Sequence, residues 1–223
     1  MSAVRQLARE GLLSLVNSIN PWRLEGQRTI VFELLEACGW DPPEWFVFPA
    51  GNLGNCAAFG KALRELRAAG LVQRVPRLVA VQASGAAPFA AAFERGFDRL
   101  EPVRAETRAT AIRIGDPVSY ARAVRSLQET RGLALAVEDA AIAGAKQAVD
   151  RAGIGAEPAS CASVAGVRML KEKGLLRPGE RVCVLLTGHL LKDPDANLEG
   201  GDSPMRVGAK LDELRRILQE PAS

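Results

Sequence analysis

Trp45-Phe46-Val47-Phe48-Pro49-Ala50-Gly51-Asn52-Leu53-Gly54-Asn55 is the stretch on which the reading of this chain turns. Its first four residues are bulky, apolar and rich in aromatics, which fits a short strand buried on both faces. Two glycines three apart then mark a tight turn, and a long amphipathic segment follows from about Asn55 to Ala69, with Gly70 in the usual helix-terminating position. A strand that runs through a glycine turn into a helix can aim successive main-chain N–H groups at an anion, beside the positive end of the helix dipole. Two readings stand on these residues alone: an anion cradle, or a turn that needs glycine for its geometry. The P-loop and the G-x-G-x-x-G dinucleotide turn are both excluded by the residues present.

Outward from this stretch the same alternation repeats. Strands are predicted at Leu12–Val16, Trp45–Phe48, Arg77–Gln82, Leu133–Val137 and Arg181–Leu186. Helices are predicted at Gln27–Cys38, Asn55–Ala69, Pro88–Arg95, from Asp116-Pro117 to about Arg131, at Glu138–Arg151 and at Pro158–Lys173. Glu101–Gly115 reads as irregular. The fold class is therefore α/β, a mostly parallel sheet with helices on both faces. The polar, Gly/Pro-rich run Asp193–Pro204 reads as a linker, followed by an amphipathic helix over about Val207–Gln219 with Leu211, Leu214, Ile217 and Leu218 on one side. The expected organisation is a main unit over 1–194 and a linker plus C-terminal helix over 195–223.

Composition narrows the function classes. The 223 residues are 48% hydrophobic and 25% charged, enough to bury a real core. With 29 Lys plus Arg against 26 Asp plus Glu the net charge is +3, and no basic block points to nucleic acid. Neither a signal peptide nor an apolar run long enough to cross a bilayer is visible, so no membrane role is expected. Cys38, Cys56, Cys161 and Cys183 form no C-x-x-C pair and read as reduced thiols of a cytoplasmic protein. His189 is the only histidine, so no multi-histidine metal site is expected within one chain, and a hydrogen-bonded structural role is the simplest reading of it.

Five segments, in order, resemble threonine synthase, a pyridoxal 5'-phosphate (PLP) enzyme of the tryptophan-synthase β-subunit-like fold. They are Asn17 to Gln27 (Asn-Ser-Ile-Asn-Pro-Trp-Arg-Leu-Glu-Gly-Gln), Gly51 to Asn55, Thr110 to Pro117, Glu157-Pro158-Ala159-Ser160, and Thr187-Gly188-His189 with Leu190 to Pro194. The resemblance spans roughly Leu12 to Pro194 and implies the large-domain portion of that fold, the C-terminal two-thirds of the family chain. Leu190 departs from the family, in which many members have glycine after the histidine.

The resemblance also implies roles. Main-chain N–H groups of Gly51, Asn52, Leu53, Gly54 and Asn55 would hold the cofactor phosphate. Thr187 would give its hydroxyl to the pyridine nitrogen, and a neutral partner there leaves the ring a mild electron sink, suited to elimination and replacement. Family members convert O-phosphohomoserine and water to threonine and phosphate; the residues matching their substrate-phosphate grip are Ser18, Arg23 and Asn55, with Asn17 beside them. An arginine fork suits a phosphate dianion.

The family's earlier segment, with the Schiff-base lysine and a Ser/Thr-Gly-Asn-Thr-type loop, has no counterpart in this sequence. No catalytic residue is therefore assigned, and Lys61, Lys146, Lys171, Lys173, Lys192 and Lys210 all read as surface amines or non-catalytic positions. The leading expectation is a threonine-synthase-type chain, truncated or encoded apart from its N-terminal part, inactive alone and paired with itself or with an N-terminal partner fragment. The alternatives are a non-catalytic remnant that binds phosphate ligands or a partner, and a related PLP enzyme such as cysteate synthase or threonine dehydratase. The Asn17–Arg23 stretch favours a phosphorylated substrate over the last of these.

Overall fold

Strand β1 (Trp45–Pro49) lies in the middle of a four-stranded sheet, and its side chains explain why. Successive strand residues point to opposite faces. Phe46 and Phe48 enter one core, while Trp45 and Val47 enter the other, and all four are at most 1% exposed. A strand that is apolar on both faces needs strands at both edges and helices above and below. It finds β2 (Arg77–Ala83) on one side and β4 (Val182–Val184) on the other, both parallel. Strand β3 (Leu133–Val137) pairs parallel with β2, which gives the order β3-β2-β1-β4.

The structure is a computed structural model that describes residues 2–16, 18, 20–193, 208, 210–212, 215 and 219. Among the described residues of 2–193, eight helices accompany the strands: α1 (Ser2–Arg9), α2 (Pro21–Gln27), α3 (Thr29–Ala37), α4 (Gly54–Ala68), α5 (Pro88–Glu94), α6 (Tyr120–Thr130), α7 (Asp139–Arg151) and α8 (Pro158–Glu172). Residues of α3, α4, α5 and α6 share one core with Phe46 and Phe48; residues of α7 and α8 share the other with Trp45 and Val47. The parallel α/β arrangement with helices on both faces is the expected one. Phe59 of α4 anchors the first core, its ring 5.0 Å from those of Phe46 and Phe48. Buried Gln82 of β2 caps α5, its Oε1 accepting from Phe89 N at 2.9 Å and Ala90 N at 3.0 Å. All four cysteines are free.

Several local expectations need correction. Leu12–Val16 is not a strand: Leu12 is 71% and Val16 75% exposed, and the segment pairs with nothing in the sheet. Apolar residues alone do not make a strand when no edge receives them. The helix expected over Gln27–Cys38 is two helices. The first begins at Pro21, where Asn20 caps it by accepting Trp22 N–H at 2.9 Å. A break follows at Arg28, where Thr29 Oγ1 donates to the Gly26 carbonyl at 2.9 Å. The helix expected from Asp116-Pro117 starts at Tyr120. The last strand is shorter than Arg181–Leu186, although Trp45 N donates to Arg181 O and Leu185 N to Val47 O at its two ends. The linker and C-terminal helix expected after Asp193 lie almost wholly outside the described residues.

Phe59→Ala is expected to cost about 3–5 kcal/mol in a urea unfolding series, whereas Trp22→Ala, at a residue 78% exposed, is expected to stay within about 0.5 kcal/mol.

Candidate functional site

The sheet reverses its direction of growth at β1: β2 and then β3 are added on one side, and β4 returns to the other. Open α/β sheets form their ligand crevice at such a switch, outside the carboxyl ends of the strands. Two segments leave those ends side by side, the turn after β1 and the Leu185–His189 segment after β4. A cavity of about 190 Å³ opens there, lined by Ser18, Arg23, Gln27, Gly51 to Cys56, Ala111, Ile112, Glu157 and Thr187.

The turn is built from two unlike features. A Cβ on Gly51 would lie 3.2 Å from the Ala111 carbonyl oxygen and 3.3 Å from Ile112 Cα, so glycine lets the turn pass close beneath the 3-10 turn Thr110–Ile112. Neither glycine of the turn carries the left-handed backbone. Leu53 does, at φ 63°, as the residue that precedes α4. A non-glycine residue there costs roughly 1–2 kcal/mol, and Leu53 offsets it by burying its side chain in the first core, only 2% exposed. The result is that the N–H groups of Gly51, Asn52, Leu53, Gly54, Asn55 and Cys56 donate to no acceptor among the described residues. Six consecutive free donors at the start of a 15-residue helix make a cradle that could hold an anion.

Thr187 lines the same cavity, its Oγ1 3.0 Å from the buried Ser160 Oγ. At the rim Arg23 Nη1 donates to Ser18 Oγ at 3.3 Å. Ser18 precedes α2 and Arg23 lies in its first turn, and both line the cavity. Asn55 Nδ2 and Oδ1 have no partner among the described residues, and Asn55 lines the cavity. Asn17 lies outside the described residues.

Glu157 joins the site as the residue before α8, with its side chain against Gly188, where any Cβ would collide with the carboxyl. It is 7% exposed. Burial pushes its carboxyl above the ordinary carboxylate range, Lys192 pulls it back and Asp193 adds to the rise. His189 is structural: its Nδ1 accepts Leu191 N–H at 3.2 Å at the start of a short 3-10 turn. The loop over the cavity is tied down by Asp139, which accepts Thr107 Oγ1 at 2.5 Å and Arg108 N at 3.0 Å.

None of the six lysines lines the cavity. Lys61 pairs with Glu25, and Lys146 pairs with Asp150 at 2.9 Å. Sequence reasoning missed Leu53 as the left-handed residue, and gave Gln27, Glu157 and Ser160 no role. Gln27 Oε1 is buried without a partner among the described residues and faces Gly54 in the cavity wall.

These residues fit PLP at two points. A cradle of free N–H groups suits its phosphate dianion, and a cavity-facing hydroxyl suits its ring nitrogen. Comparison with known proteins agrees. A family profile of pyridoxal-phosphate dependent enzymes matches residues 1–188, and the chain belongs to that family. Within it, the chain is 40% identical over 222 residues to the threonine synthase of Methanocaldococcus jannaschii, covering 99% of this chain and 55% of that protein. It is 44% identical over 202 residues to the threonine synthase of Mycobacterium leprae, covering 89% and 54%. The chain thus spans about half the length of the curated relatives it matches, a smaller share than the two-thirds expected. The PLP-bound threonine synthase of Brucella melitensis shares the fold at TM-score 0.67 and 21% identity, over 96% of this chain and 52% of that one. Maize serine racemase does so at TM-score 0.68 and 18% identity, over 89% and 60%. No described helix is long and apolar enough to cross a membrane.

The raised Glu157 has a pH signature. A carboxyl with a folded-state pKa above its ordinary 4.5 contributes stability that is whole below about pH 4.5 and is lost as pH climbs through the raised value. Glu157→Gln is expected to raise the melting temperature over wild type at pH 7 and to bring no gain at pH 4. An equal shift at both pH values contradicts the buried-carboxyl assignment.

Proposed function

We propose that this chain forms the phosphate-binding side of a threonine-synthase-type active site, which takes PLP as cofactor and O-phosphohomoserine as substrate. The observation that carries the reading is that residues from three segments distant in sequence, Ser18 with Arg23, Gly51 to Asn55, and Thr187, line one cavity at the switch point of the sheet. PLP, when bound, supplies an electron sink for carbanion chemistry at an amino-acid substrate. The free N–H groups of Gly51 to Asn55 bind its phosphate, and the Thr187 hydroxyl donates to its ring nitrogen. At the rim, Arg23 and Ser18 grip the substrate phosphate, Arg23 by charge-assisted bonds, with Asn55 and, by sequence, Asn17 completing the grip.

The chain provides binding without the amine. No lysine reaches the cavity, so the proton transfers at the substrate carbon need a group from another segment or chain. The cavity volume, about 190 Å³, is below the roughly 300–1,000 Å³ of a complete ligand pocket, as suits one wall of a shared site. In this reading residues 1–194 are the large-domain portion, 195–223 a linker and helix, and the protein is a cytoplasmic one whose partner is an N-terminal segment or a second copy. The alternative, a non-catalytic phosphate-binding protein, shares the cradle and differs in the assay below.

Phosphate release from O-phosphohomoserine is expected to be absent for the chain with added PLP, and to appear when the N-terminal half of a related threonine synthase is supplied as a separate chain. Turnover by the chain alone, or a borohydride-trapped PLP adduct on one of its lysines, contradicts the assignment of no catalytic residue here. Binding without turnover in the mixture favours the non-catalytic alternative. In calorimetric titrations, Arg23→Ala is expected to cost about 1.5–3 kcal/mol of O-phosphohomoserine affinity and to leave pyridoxine 5'-phosphate affinity within about twofold.

A further inference from the structure

Ser160 is fully buried beneath the cavity floor, yet its hydroxyl meets four polar groups. Its Oγ accepts Thr187 N–H at 3.0 Å and Gly188 N–H at 2.7 Å. The same atom lies 3.0 Å from Thr187 Oγ1 and 3.4 Å from the Gly188 carbonyl oxygen. A serine hydroxyl has two lone pairs and one hydrogen. Both lone pairs are taken by main-chain N–H groups, so Ser160 has no capacity left to accept from Thr187. It must donate, and the nearer of its two acceptors is Thr187 Oγ1. Thr187 then receives a hydrogen from behind and keeps its own hydrogen for the cavity, where the side chain has no other partner among the described residues.

The placement of Ser160 follows from the helix that carries it. Pro158 opens α8, and Ser160 N already donates to the Glu157 carbonyl at 3.0 Å. The N-cap position of α8 is Glu157, so the Ser160 hydroxyl lies inside the first turn and bonds to the neighbouring segment. Ser163, one turn later, donates back to the Ser160 carbonyl at 2.6 Å, with Leu185 O a more distant second acceptor at 3.1 Å.

We infer that Ser160 is a positioning residue: its buried hydroxyl fixes the Thr187 hydroxyl as a hydrogen-bond donor into the cavity, so this end of the site selects a ring that presents an acceptor nitrogen. The inference rests on the reading of the cavity as a PLP site and adds a direction to it. A ring nitrogen that accepts from a neutral hydroxyl is held in its unprotonated form, and Ser160 sets that polarity although it touches no ligand. Removing Ser160 frees Thr187 to turn its hydrogen inward toward the protein, and the preference for an acceptor fades.

The test uses the whole chain and two probes that form no imine with lysine: pyridoxine 5'-phosphate and its 1-deaza analogue, which has C–H in place of the ring nitrogen. Calorimetric titration of wild type is expected to favour the nitrogen-bearing ring by about tenfold. Thr187→Val is expected to erase the preference, and Ser160→Ala to narrow it to within about threefold, with Ser160→Cys between. A Ser160 that serves packing alone weakens both probes equally and keeps the ratio, which overturns the inference and leaves the cavity assignment standing. Equal binding of both probes by wild type also overturns it. Wild type that binds neither probe overturns the reading of the cavity itself. Circular dichroism checks each fold, and the Ser160→Cys ratio decides if Ser160→Ala does not fold.

Discussion

Burial of β1 on both faces is the constraint from which the site descends. Because Phe46 and Phe48 fill one core and Trp45 and Val47 the other, the strand cannot lie at an edge, and its neighbours must be parallel strands returned by helical crossovers. With β2 and β4 on opposite sides of it, the chain reverses its order there, and the carboxyl ends of β1 and β4 diverge around a crevice. The cradle begins two residues after β1, and Thr187 lies three residues after β4. Their meeting is a consequence of sheet order and needs no special contact to bring it about.

What the crevice contains is then set by local energetics. Leu53 holds a left-handed backbone at φ 63°, a strain retained because its side chain is locked in the core beneath. Gly51 passes under the Thr110–Ile112 turn where a side chain would crowd it. Together they leave a row of donors facing outward. The two ends of the site are thus stabilised by different means: the cradle by core packing of Leu53, and Thr187 by the buried hydroxyl of Ser160.

Most strands were legible because their signal is local. Trp45–Pro49, Arg77–Ala83 and Leu133–Val137 are short apolar runs bounded by Gly, Pro or charged residues, and each forms within a residue of its expected bounds. Leu12–Val16 has the same local look and no strand forms, since pairing depends on an available edge that the segment itself does not encode. The start of α2 was readable in principle from Asn20-Pro21, a capping residue before a proline, but the longer apolar periodicity after Gln27 obscured it. In the site, the glycines marked the turn, while the left-handed residue was Leu53, a choice decided by burial and invisible in the local sequence. Glu157 and Ser160 stood in a recognisable segment, but their roles depend on contacts with Gly188 and Thr187 about thirty residues away.

We propose that one cavity, between the cradle after β1 and Thr187 after β4, binds a pyridoxal-type phosphate. Amide 1H–15N spectra recorded during titration with pyridoxine 5'-phosphate test it most directly. The largest shifts are expected at Gly51, Asn52, Leu53, Gly54 and Asn55, with a second set at Thr187 and Gly188. Shifts centred instead on the basic surface of α4 and α6, around Lys61, Arg64, Arg122 and Arg125, would contradict it.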